Sequence, residues 1–412
     1  VRKLAGMGVF PKAVAEPQRR VAFSGFPEKS GATSAARIAY ADAFRAIAIL
    51  AVVASHFIKI THIQIHGRAR LLEWLGVWGV DCFFVLTGYL LGKPYLRAIV
   101  NAARLPSVRE FFARRLFRIY PLYLVCLVFS VLVAVFSGAA PSIGDVLAHL
   151  TMSHGLIARY ITQINGPLWT MSVDAQFYVL LPIVAFCVML PLRNRPVDQR
   201  VRGVWVFLSA VILLSVLERL ITLTRIMPHT DWDHIAALSR NVIGMASEFA
   251  IGALVAFREM RSPVPSQKKG VYGLVVLGGL LFLTLLPLIE HKAHSVNALT
   301  AMYTVNDLIG GISAGLLLYG CIRGDFGYLT RVVFSRTVAE VAALSYAIYL
   351  VHYPFITHAA DVYHRSLAKP SVALVFSIAV AVPIALVAYA GHRWVEKPFL
   401  RLRDRYRTEP AG

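Results

Sequence analysis

Arg45 and His56 lie within one apolar stretch, IAYADAFRAIAILAVVASHFIKI, with ten residues between them. An α-helix turns about 100° and rises about 1.5 Å per residue, so eleven steps return to nearly the same face about 16 Å further along. One helical stripe then carries a guanidinium near one end of a span and an imidazole near the other. Ionisable groups inside spanning helices usually face the protein interior and mark substrate or ion pathways. Further polar groups interrupt other apolar runs: Asp81 in GVWGVDCFFVLTGYLLG, Asp174 and Gln176 in NGPLWTMSVDAQFYVLLP, and Tyr349 and His352 in ALSYAIYLVHYPF. A cationic group, Arg114, Arg115 and Arg118, sits at neighbouring helical positions in FFARRLFRIYP. Guanidinium groups bind phosphate through paired hydrogen bonds, so this edge suits a phosphorylated donor. Its bland alternative is a basic cluster beside anionic lipid headgroups.

The elements that must position these groups are membrane helices. Of the 412 residues, 57% are apolar and the mean hydropathy is +0.63, above the share of about 45–50% usual in soluble domains. Runs of about 20 residues, long enough for the hydrocarbon core, begin near Tyr40, Trp74, Ile119, Leu168, Gly203, Ser239, Gly270, Ala301, Thr337 and Ser371. The pattern predicts an all-α, polytopic membrane bundle of about ten helices over residues 37–400. A disordered basic cytoplasmic tail is expected over 1–36 and a second basic tail over 401–412. The eighth span is interrupted by Asn306, Asp307 and the glycines Gly310, Gly311 and Gly315, residues that also permit close helix packing. Cys82, Cys126, Cys187 and Cys321 lie within or at the ends of apolar stretches and show no disulfide framework.

Lys and Arg in short loops orient such a bundle. Six alternate segments carry 31 of the 42 basic residues, which predicts both termini on the cytoplasmic side of a multi-pass plasma-membrane protein. The net charge of +20 is thereby explained as an orientation signal and an attraction to anionic lipids, without nucleic acid. With that orientation His56, Asp81, Asp174 and His352, from four helices, are expected in one outer layer, forming a polar chamber that opens outward.

These segments together resemble the acyltransferase-3 family of membrane acyltransferases. D-A-F-R-A-I-A at Asp42 to Ala48 is similar to that family's D-G-L-R-G-I-A and keeps the Arg-x10-His spacing. G-V-D-C-F-F-V-L-T-G at Gly79 to Gly88, Arg115-x-x-Arg118 followed by Ile119-Tyr120-Pro121, and L-W-T-M-S-V-D-A-Q-F-Y at Leu168 to Tyr178 follow in family order. Later echoes are Glu248-Phe249 with Gly252, Y-L-V-H-Y-P at Tyr349 to Pro354, and E-K-P at Glu396 to Pro398. Ala43 and Ala46 stand where the family has glycines, Thr87 where it has serine, and Asp174 where it has the longer glutamate.

The resemblance implies an O-acyltransferase that takes an acyl group, expected to be acetyl, from cytoplasmic acyl-CoA as co-substrate, with no permanently bound cofactor. Its acceptor is expected to be a hydroxyl of an extracytoplasmic or lipid-linked sugar, or alternatively of a secreted small molecule such as a macrolide. Arg45, Arg115 and Arg118, with Arg114 beside them, would hold the donor. His56 would be the general base, since a neutral imidazole suits proton removal near pH 7. Asp174 or Asp81 would orient it, and an acyl-histidine intermediate is a second route. Trp169, Gln176, Tyr349 and His352 are candidate substrate contacts; His352 reads equally as a second catalytic imidazole or an interhelical hydrogen bond, and Trp169 and Trp74 as an aromatic belt. Glu248 is expected to pair with an arginine such as Arg45. His62 and His66 lack a third ligand in a recognisable pattern, so no metal site is expected. A solute or lipid-linked sugar transporter would also bury ionisable groups, but no internal repeat of the kind many carriers show is evident.

Overall fold

The computed structural model describes residues 31–61, 71–226, 232–261, 273, 275–280, 296–323, 335–363 and 370–405. His62, His66 and most of the expected seventh span lie outside them, as do residues 1–30 and 406–412 of the expected tails. Among the described residues every regular element is helical. The helices are α1 (Gly31–Thr61), α2 (Leu71–Asn101), α3 (Val108–Phe136), α4 (Ile143–Leu150), α5 (Trp169–Leu192), α6 (Val197–Ile221), α7 (Trp232–Ser239), α8 (Ala246–Arg261), α9 (Val296–Arg323), α10 (Arg336–Tyr363), α11 (Pro370–Gly391) and α12 (Lys397–Arg405). Helix α1 starts at Gly31, so the last residues of the segment expected as a disordered tail continue the first span, and residues 401–405 of the expected C-terminal tail are helical.

Among the described residues, seven spans are long and apolar enough to cross a membrane: Ala39–Thr61, Trp74–Asn101, Val108–Phe136, Gly166–Leu192, Val197–Ile221, Arg336–Tyr363 and Ser371–Arg403. Helices suit this environment because each satisfies its own backbone hydrogen bonds where water is absent. Their lipid-sized apolar residues, such as Leu213, Leu214, Val375 and Leu386, point outward and stay exposed, as expected of a bundle solvated by hydrocarbon rather than water.

Helix α2 packs on α1, α8, α9 and α5. Its contact with α8 is backbone to backbone: a Cβ at Gly88 would collide with the Phe249 carbonyl, and one at Gly252 with the Val85 carbonyl. Small residues at a membrane helix crossing permit this approach, which gives the glycines of VLTG and EFAIG a packing reason. Helix α8 is short, 16 residues, and buried on nearly every side, so the expected sixth span, which was to begin near Ser239, is a central helix beginning at Ala246. The glycines of the eighth span do not break α9; Gly311 and Gly315 seat it against Glu248 and Ile251.

The connection between α3 and α5 folds into the bundle. Ser142 caps α4 by accepting from the Asp145 amide at 3.1 Å, an N-terminal signature written in the sequence. The Tyr123 hydroxyl donates to the His149 carbonyl (2.8 Å) and the Asn165 amide to the Leu350 carbonyl (3.1 Å). His149 and His154 stack face to face, centroids 3.9 Å apart, and His154 Nε2 meets the Leu168 carbonyl at 3.0 Å. This plug buries Pro167 and Leu168 and sets the Trp169 ring edge-on against Phe84 of α2.

Candidate active site

Four helices, α1, α2, α5 and α10, together line two cavities stacked along their length. The larger, about 500 Å³, is bordered by His56, Lys59, Trp74, Asp81, Trp169, Arg219, Arg240, Asp307 and Tyr353. The smaller, about 150 Å³, is bordered by Arg45, Arg115, Arg118, Asp174, Tyr178 and Ser345. Val80 and Tyr349 line both, so they form the wall between a histidine chamber and an arginine chamber. The Tyr349 hydroxyl is fixed in that wall: it donates to the Pro167 carbonyl at 2.7 Å and lies 2.7 Å from the Thr170 hydroxyl. The eleven-residue interval from Arg45 to His56 spans the two chambers, as the helical rise requires.

In the histidine chamber, His56 Nδ1 lies 2.9 Å from the Val52 carbonyl and 3.3 Å from His352 Nε2. His352, fully buried behind it, places its own Nδ1 2.8 Å from the Tyr349 carbonyl. A carbonyl only accepts, so in both neutral rings Nδ1 carries the proton and Nε2 the lone pair. The Nδ1–H of His56 is shared between Val52 and His352, and its Nε2 is left as the basic nitrogen. Among the described residues no carboxylate bonds to His56, so the orienting role expected of Asp174 or Asp81 is filled here by a backbone carbonyl and a second imidazole. The ring of Tyr353 packs edge-on against His56 at 5.3 Å.

Asp81 does share this chamber with His56. It is 2% exposed, and its Oδ2 has no hydrogen-bond partner. Asp174 does not share it. Trp169, at the start of α5, reaches the histidine chamber, and Asp174, five residues or about 7.5 Å further along, faces the arginines. There it shares the cavity lining with Tyr178, Arg115 and Arg118, and its Oδ1 is buried without a hydrogen-bond partner. His56 and Asp81 therefore border one cavity and Asp174 the other.

The arginines are held from behind. Arg45 pairs with Asp42 at 2.8 Å, and Arg118 pairs with Glu396, whose other oxygen is 2.7 Å from His392 Nδ1. The E-K-P echo at the end of the chain thus anchors Arg118 across the bundle. Arg114 instead points out of α3 and pairs with Glu110 one turn back, outside either chamber. Gln176 bridges Ser172 and the Val242 amide (3.2 and 3.1 Å) and braces α5 against the segment before α8 rather than lining a cavity.

Arg219 was not singled out by the sequence reading. Fully buried on α6, it holds Glu248 of α8 at 3.1 Å and Asp307 of α9 at 3.0 Å. Glu248 therefore pairs with Arg219 and not with Arg45. The available signal was the ionisable pair Glu218-Arg219 inside VILLSVLERLITLT, the same kind that exposed Arg45 and His56. Among the described residues no three His, Cys, Asp or Glu side chains group as metal ligands.

Comparison with known proteins places the sequence in a family. A family model described as an acyltransferase domain matches residues 38–390. The chain is 24% identical over 336 residues to the peptidoglycan O-acetyltransferase OatA of Listeria monocytogenes, an alignment covering 77% of this chain and 49% of that protein. It is 25% identical over 380 residues to YrhL of Bacillus subtilis, named as a candidate peptidoglycan O-acetyltransferase, covering 87% and 54%. The chain thus spans about half the length of these curated relatives. No solved structure matches it. Every residue that lines either chamber falls inside the matched region, and this chain belongs to the acyltransferase-3 family.

Proposed function

We propose that the chain is a membrane O-acyltransferase of the plasma membrane that moves an acetyl group from cytoplasmic acetyl-CoA to a hydroxyl of an extracytoplasmic or lipid-linked glycan. One observation carries the reading: a cationic chamber and an imidazole chamber lie end to end along the same four helices, with one wall between them. In this reading both termini and the arginine chamber face the cytosol in a bundle of about ten spans. Arg45, Arg115 and Arg118 take the donor's phosphate and carbonyl oxygens. The slender pantetheine arm passes Val80 and Tyr349, and Asp174 Oδ1 accepts from one of its amide N–H groups. The thioester then lies beside His56.

The acceptor hydroxyl attacks the thioester carbonyl carbon. A C–O bond forms and the C–S bond breaks, while His56 Nε2 takes the hydroxyl proton and returns it to the departing thiolate as CoA–SH. His352 supports the imidazolium, since its Nε2 lone pair accepts from His56 Nδ1–H as that bond becomes charge-assisted. Asp81 Oδ2, Arg219 and Asp307 offer acceptor hydroxyls a polar wall, and Trp74 and Trp169 offer flat apolar faces. The acceptor class is supported by the peptidoglycan O-acetyltransferase relatives.

The test is thiol release from acetyl-CoA by purified protein in nanodiscs supplied with envelope glycans, wild type beside His56→Ala. Release that depends on His56 supports the reading. Equal release from both removes His56 as the base, and no consumption of acetyl-CoA by either removes the donor.

A further inference from the structure

A third cavity, about 1020 Å³, lies outside both chambers. It is bordered by Tyr95 of α2, by the connection through Arg104 into the start of α3, and by the later turns of α5 with Arg193 and Asn194 after them. Val179, Ile183, Phe186 and Leu190 line it at steps of four, three and four residues, so they form one stripe of α5. The stripe covers eleven residues, about 16 Å along the axis, close to the depth of one leaflet in a hydrocarbon core about 30 Å thick. Its four side chains are 49–55% exposed. The next step of the same spacing is Arg193, whose backbone is still helical, and Arg104 borders the same cavity. No carboxylate among the described residues lines this cavity or pairs with either guanidinium. One lining group lacks anything to bond: Tyr95 is 2% exposed, and its hydroxyl has no hydrogen-bond partner. A buried tyrosine hydroxyl usually finds one.

We infer that this cavity is a site for one anionic phospholipid, with an acyl chain along the α5 stripe and the phosphate on Arg104 and Arg193. The chemistry along the cavity follows the order of the lipid: a leaflet's depth of hydrocarbon, then two guanidiniums that bind phosphate oxygens through paired, charge-assisted hydrogen bonds. Basic pockets between spanning helices recognise such headgroups. An ester carbonyl gives the Tyr95 hydroxyl its acceptor. A free anion would use the arginines and leave the stripe bare, and a choline headgroup would bring a third cation to the arginine end. The site also backs onto the arginine chamber. Phe111 of α3 packs edge-on against Tyr95 (5.9 Å) and against Tyr178 of α5 (6.3 Å), and Tyr178 lines that chamber. The lipid therefore completes the packing between the two helices that carry Arg115 and Tyr178.

The experiment takes the full chain in mild detergent, stripped of native lipid, and adds equimolar phosphatidylglycerol and phosphatidylcholine before native mass spectrometry. One phosphatidylglycerol per chain, retained about tenfold over phosphatidylcholine, is the expected result; equal retention of the two lipids overturns the inference. Arg104→Gln with Arg193→Gln should abolish the preference, and a preference that survives in this variant assigns it to other basic residues and overturns the site. Ile183→Trp fills the cavity from an exposed position and keeps both arginines, so it should lower phosphatidylglycerol retention about tenfold; Ala103→Trp does the same from the opposite border if the first variant does not fold. Full retention in a filled variant means that only the headgroup is held, and it overturns the placement of the chain. A large excess of inorganic phosphate should displace none of the lipid, whereas displacement would make this a general anion site. The readout needs no acetyl-CoA, so it stands or falls apart from the proposed reaction.

Discussion

The two chambers solve the problem of burying polar groups in opposite ways. The arginine chamber uses full charges, with Arg45 held by Asp42 and Arg118 by Glu396, which is held in turn by His392. Next to the wall, the histidine chamber uses neutral partners: His56 and His352 are fixed by the carbonyls of Val52 and Tyr349 and by each other. A grip needs strong, directional charge. A base needs a ring whose tautomer is set at Nδ1, with Nε2 left open for the proton it takes.

That contrast predicts separable effects. The largest is His56→Ala, expected to lower turnover about a thousandfold, within the range of general-base catalysis, while acetyl-CoA binding by calorimetry is preserved; a collapse in binding would mean the chambers act as one. Next, Arg115→Gln with Arg118→Gln should raise KM for acetyl-CoA more than about a hundredfold, since each charged hydrogen bond contributes roughly 1.5–3 kcal/mol. Their kcat should change little, and a large fall in kcat instead would place these arginines in the chemistry. A smaller effect, about tenfold on kcat with KM for the donor unchanged, is expected of His352→Asn. If that variant matched wild type, Val52 alone would suffice to set the His56 tautomer.

Acid should sharpen the comparison by loosening the histidine side first. His154, in the plug, is pushed down to about 3 by burial and then by its neighbour His149. Below its ordinary value near 6.5 the unfolded chain takes a proton that the folded chain refuses, so stability falls as pH drops from about 6.5 toward 3. The slope is about 1.4 kcal/mol per pH unit for that one group. Hydrogen exchange across residues 143–168 should accelerate before that of the α3 entrance bearing Arg115; the reverse order would refute the assignment.

Much of this was readable from spacing because helical periodicity is local. Arg45 and His56 needed only the pitch of a helix to be assigned to one stripe, and Arg115 and Arg118 only their separation. Which cavity Asp174 borders was not legible, because it depends on a non-local event, the packing of residues 142–168 against α3, α5 and α10. That Gln176 braces α5 rather than lining a cavity was likewise not legible. The partner of Glu248 could not be chosen from sequence, since Arg45 and Arg219 both occupy apolar helices and only packing distinguishes them. Tertiary contact also decided that His352 stands behind His56 rather than beside a substrate.

The tyrosine cross-linked into the shared wall has a consequence for the cell's energy supply. Under the proposed reaction the wall needs to yield only to a thread-like arm, and a hydrated ion is wider and pays a large desolvation penalty in such a slot. Acetyl groups can then leave the cytosol while sodium does not enter. The free energy of the transfer comes from the thioester, and the voltage across the membrane is left for other work.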